Sequence, residues 1–154
     1  MRKTKAWQIV LIVMVVLYSC FILSSCRYEI SEEKRIDVIS DIAVIVNDNY
    51  TSEDVEPPFQ ISMTEIEELA DNNSYLHKAI EKYHDVQQYK VYLLDNDMVL
   101  VVTDVIFQGV KGFVVSDEEL EGTLTVSGLG FDSDRIGIIE RIEDSNIYRF
   151  SAGL

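Results

Sequence analysis

Cysteine, histidine and proline are scarce in this chain of 154 residues, and the positions of the few present matter as much as their number. The two cysteines, Cys20 and Cys26, both lie in the first 26 residues. Beyond them no disulfide, thiol nucleophile or zinc–thiolate site can form, so the fold must stand on its core alone. The two histidines, His77 and His84, are the only places where imidazole chemistry can occur. The two prolines are adjacent, Pro57 and Pro58, which leaves no proline-rich linker. Basic side chains are also few. All 27 acidic residues follow Cys26 but only 10 of the 13 basic ones do, so that part carries 10 minus 27, or −17. Nucleic acid and anionic membrane surfaces are poor partners for such a domain, whose charge reads as a solvated surface.

Glycine-dependent motifs are missing too. Gly128-Leu129-Gly130 lacks the third glycine of a dinucleotide fingerprint and reads as a permissive turn. Ser116, Ser127, Ser133, Ser145 and Ser151 each sit near a turn, and none lies in a Gly-x-Ser-x-Gly elbow. No internal repeat is visible, and no catalytic constellation emerges.

What the chain does have is an address. Arg2, Lys3 and Lys5 precede an apolar run from Ile9 to Leu23 in which only Tyr18 and Ser19 are polar. A basic segment, an apolar segment and small residues near a cut site make up a secretory signal. The run is about 15 residues strictly counted and about 17 from Trp7, at the top of the signal range and the bottom of the roughly 17 to 25 needed to span a bilayer, so length alone does not decide between cleavage and spanning. Leu23-Ser24-Ser25-Cys26 then resembles the lipobox of bacterial lipoproteins, an aliphatic residue and two small ones before the cysteine that receives the lipid. That resemblance implies cleavage before Cys26 and a covalent lipid on its sulfur. The alternative is an uncleaved helix. Leu17-Tyr18-Ser19-Cys20 is a poorer match, with a bulky tyrosine where a small residue is wanted. In either case the basic N-terminus stays in the cytoplasm and residues 27–154 face outward, held at the cell membrane or envelope. Two acyl chains anchor stably where one does not.

Three regions follow: a signal or anchor over 1–25, a tether over 26–34, and one acidic domain over 35–154, a size that can bury a real core. In Arg35 to Val46, Ile36, Ile39, Ile42 and Val46 fit a helix, while Ile36, Val38, Ile42, Val44 and Val46 fit a strand. The Ser31-Glu32-Glu33 start favours the helix. Asn47 to Gln60 reads as a loop. Thr64-Glu65-Ile66-Glu67 has capping-box form, and Ser74 can cap a second short helix with Leu76, Ala79, Ile80 and Tyr83 on one face.

From Tyr89 the period changes to two. Tyr89–Leu94 and Met98–Phe107 flank Asp95-Asn96-Asp97 as a hairpin. Gly109 and Gly112 bracket a reversal before Phe113-Val114-Val115, and Thr123–Val126, Arg135–Ile142 and Ile147–Phe150 complete five or six strands. Two or three short helices followed by consecutive strands argue an α+β fold with an antiparallel sheet. Aromatic residues concentrate on these strands as core.

Two constellations suggest chemistry. His77, Glu81 and His84 are spaced i, i+4 and i+7, which on a helix makes a transition-metal half-site. Asp132-Ser133-Asp134 through Glu143 follows the calcium-loop pattern in part, but Ile136 breaks it and reads as strand. The expected role is a binding or accessory module with no cofactor beyond the lipid on Cys26, with an envelope protein as a possible partner. The alternative is a metal-binding protein or metal-dependent enzyme using His77, Glu81 and His84.

Overall fold

The computed structural model describes Met14 and residues 30–70, 73–106, 109–129 and 134–153. The expectations placed on Cys20, Cys26 and, Met14 apart, the apolar run lie outside the described residues. Among the described residues no helix is long and apolar enough to cross a membrane.

The first helix, α1, runs Glu32–Asn49 and so begins inside the stretch expected to be tether. Ser31 stands at its N-cap position without a side-chain cap bond, and Glu32 and Glu33 place negative charge at the positive end of the helix dipole. Val38, Ile39, Ile42, Ala43, Ile45 and Val46 are buried, a helical stripe. Val44, which strand alternation would bury, is 57% exposed. Intrinsic strand preference spans only about 1 kcal/mol. Full burial of one Val or Ile side chain contributes roughly 1.5–3 kcal/mol, so the helical stripe decides the conformation.

Strand β1 (Phe59–Ile61) comes next, immediately after Pro57-Pro58. It corrects the expectation of a loop to Gln60: three residues are too few to show a period. Helix α2 (Met63–Leu69) is capped by Ser62, whose hydroxyl accepts from the Glu65 amide at 3.2 Å, two positions before the expected Thr64 box. Helix α3 (Ser74–Lys82) is capped by Asn73, whose Oδ1 accepts from the amides of Tyr75 and Leu76.

Strands β2 (Lys90–Leu93) and β3 (Val99–Ile106) form the expected hairpin, with Asn96 and Asp97 at positive φ in its turn. Strands β4 (Gly109–Val115), β5 (Thr123–Val126), β6 (Arg135–Arg141) and β7 (Ile147–Gly153) follow. Gly112 lies inside β4 rather than in a reversal. The seven strands make one antiparallel sheet ordered β1-β2-β3-β4-β7-β6-β5, and the fold is α+β.

Alternation along these strands feeds two cores. On one face Val91, Leu93, Val99, Val101, Phe113, Val115 and Ile147 pack against the three helices. On the other, the sheet curls on itself, so Leu100, Val114, Tyr148 and Phe150 meet Val126, Leu129 and Ile139. The curl carries the chain beyond β5 back to the approach to β1. A Cβ on Gly128, at φ +73°, would come within 2.9 Å of Pro58 Cγ.

Candidate functional site

A register shift in β3 builds the principal cleft. Val102 pairs with Gly112 but Asp104, not Thr103, pairs with Lys111, so one extra residue is inserted at Thr103. Asp104 thereby turns to the helix side of the sheet. Across that face it stands in one row with Lys111, Ser151 and Ile138, and the next row holds Phe113, Arg149 and Glu140. The first turn of α1 supplies Glu32 and Arg35 as a wall. Together these residues enclose an open cleft of about 540 Å³.

Acidic and basic groups alternate in it. Arg149 donates from Nε to Oε1 of Glu32 at 3.0 Å and from Nη2 to the same oxygen. That hydrogen bond, with the charge behind it, holds the Glu32 carboxyl below the usual carboxylate range and raises Arg149. Arg35 reaches the other way, with Nη2 3.7 Å from Oδ2 of Asp85. Behind them lies the buried Tyr89, its hydroxyl pushed up to about 12 by desolvation and pulled partly back by the Arg35 charge. Thr103 Oγ1 donates to Asp104 at 3.1 Å. The floor therefore offers separate anionic and cationic groups around Phe113, which suits recognition of ligands carrying both charges. Its hydroxyls, on Thr103 and Ser151, have no imidazole beside them in the lining.

The histidines lie elsewhere. Helix α3 stops at Lys82 and Tyr83 is extended, so His84 leaves the helical face that the i, i+4, i+7 spacing assumed. Its ring nitrogens approach Gln87 and Gln88, while Nδ1 of His77 is 3.7 Å from Oε1 of Glu67 on α2. The structure does not bring His77, Glu81 and His84 together, and no group of three His, Cys, Asp or Glu among the described residues is arranged to hold a metal ion. Within the partial calcium pattern, Arg135–Arg141 is strand β6, paired on both sides, as Ile136 suggested.

Sequence reasoning missed the cleft. The signal that could have found it is charge placed mid-strand: Lys111 within Gly109–Val115 and Arg149 within Ile147–Gly153 interrupt otherwise apolar or small residues.

Fold and cleft together define a class, an acidic α+β domain with a curled antiparallel sheet and a mixed-charge cleft beside the first helix. The chain matches no family model, no curated protein and no solved structure.

Proposed function

We propose that the protein is a membrane-tethered extracytoplasmic lipoprotein whose α+β domain acts by binding, as an accessory module of the cell envelope. The observation that carries this reading is Leu23-Ser24-Ser25-Cys26 directly after a basic-then-apolar leader. Two features agree with it. No cysteine follows Cys26, so the ordered domain does not depend on the thiol that the lipid would consume. The cleft offers separate anionic and cationic groups and no histidine beside its hydroxyls, which favours recognition over turnover.

The test is metabolic labelling with a tagged fatty acid, comparing the wild-type chain with Cys26→Ala by intact mass and by membrane fractionation. Label and cleavage that both vanish in the variant are the expected result. A wild-type chain that is unlabelled and keeps residues 1–25 would replace the lipid with a permanent helix.

A further inference from the structure

The sheet has two unlike ends. At one lie the first turn of α1, the C-terminal half of β3, the start of β4 and the start of β6, all around the cleft. At the other lie the C-terminal part of α1, the segment after β4 and the turn between β6 and β7. Among the described residues from 30 onward, three of the five exposed large apolar side chains lie at the first end. Ile136 and Ile138 are 66% and 69% exposed on the outward face of β6, whose inward face already holds Ile139. Val105 is 58% exposed on the other side of the sheet at the same end. An adjacent isoleucine pair on a strand facing outward differs from the single exposures of Val44 and Tyr75.

Charge divides along the same axis. Lys34, Lys111, Arg35 (paired with Asp85) and Arg149 (paired with Glu32) lie at the first end and roughly balance the acids there, among them Glu32, Asp85, Asp104 and Glu140. The far end carries Asp48, Asp117, Glu118 and Asp144, and its Arg141 is paired with Glu119. A domain of net charge −17 is repelled by an anionic surface as a whole, but least at its balanced end.

The chain supplies the third argument. Cys26 stands four residues before the buried Ile30, at most about 14 Å of extended chain, so an anchor there holds α1's first turn close to the bilayer. We infer that the end bearing Ile136, Ile138 and Lys111 is a membrane-contact surface: the isoleucines enter the headgroup–acyl boundary and Lys34 and Lys111 meet lipid phosphates, with the acidic end directed away. This rests on the anchoring reading above, and holds whether the anchor is a lipid or a helix.

The experiment uses the full-length chain purified from membranes and reconstituted into vesicles of phosphatidylglycerol and brominated phosphatidylcholine. Intact mass first establishes whether Cys26 is acylated. Ile136→Cys, Ile138→Cys and, at the far end, Asp144→Cys then each carry a fluorophore on an exposed side chain. Bromine quenching at positions 136 and 138 with none at 144 is the expected result. Equal quenching at both ends, or none at 136 and 138, in a chain that is membrane-anchored overturns this inference while leaving the anchor standing. A chain that carries no lipid and is released by alkaline carbonate overturns the anchoring reading, and this inference with it.

Discussion

Arg149, in the middle of the last strand, donates two hydrogen bonds to one carboxylate oxygen of Glu32 in the first turn of α1, 117 positions earlier. The pair ties the two ends of the described domain together at the mouth of the cleft. Both side chains are half exposed, so the bond orients the helix start more than it stabilises the fold.

That limit can be measured. Arg149→Gln and Glu32→Gln, with their double variant, are expected to give a coupling energy of no more than about 1 kcal/mol in urea unfolding. Because the folded-state pKa of Glu32 is lowered, the contribution is present above its unfolded value near 4.5 and is lost as pH falls through the lower folded value. The wild-type advantage over Arg149→Gln is expected to shrink below pH 4.5 and to shrink further in high salt.

Tyr89 predicts the opposite pH limb. Its folded-state pKa, raised to about 12 from 10.0, means the folded protein keeps a proton that the unfolded chain releases. Stability is therefore full below pH 10 and falls as pH rises toward 12, by about 2 kcal/mol for this group. Tyr89→Phe is expected to flatten that slope. Equal slopes for the two proteins in denaturant unfolding between pH 9 and 12 would contradict the assignment.

Gly112 is set by close approach. A Cβ there would collide with the carbonyl oxygen of Val101 in the neighbouring strand, which is backbone and has nowhere to go. Gly112→Ala is expected to cost about 3 kcal/mol or to prevent folding. Gly122, at φ +74°, has open space around it, so Gly122→Ala carries only conformational strain of roughly 1 kcal/mol. Urea midpoints of the two variants give the comparison.

Tyr148 is the buried link between the sheet and the acidic segment before β5, its hydroxyl oxygen accepting from the Leu120 amide at 3.2 Å. Tyr148→Phe keeps the ring and removes that acceptor. About 1 kcal/mol of destabilisation is expected, with faster hydrogen exchange at Leu120 as the local signature. Unchanged exchange there would show that the bond does not hold the segment.

Much of the fold is legible in the sequence. The Asp95-Asn96-Asp97 hairpin reads directly because a turn of such residues between alternating apolar runs has few other conformations open to it, and Thr123–Val126 matches its expected bounds. The two short helices were expected, but their caps shift to Ser62 and Asn73 because several neighbouring polar residues satisfy the same cap pattern. The half-site at His77, Glu81 and His84 depended on helix continuing through residue 84, and the helix ends at Lys82.

By itself the sequence determined the charge balance, the confinement of cysteine to the first 26 residues, the class of fold and most strand positions, because composition and period are local properties. Only the tertiary structure decided that residues 35–46 are helix, since two periods fit and burial on the sheet selected the one that exposes Val44. It also decided the cleft. Glu32, Asp104, Lys111, Glu140 and Arg149 come from four strands and a helix, and one inserted residue at Thr103 turns Asp104 among them. No local pattern records that meeting, because strand register and curl are properties of the whole sheet.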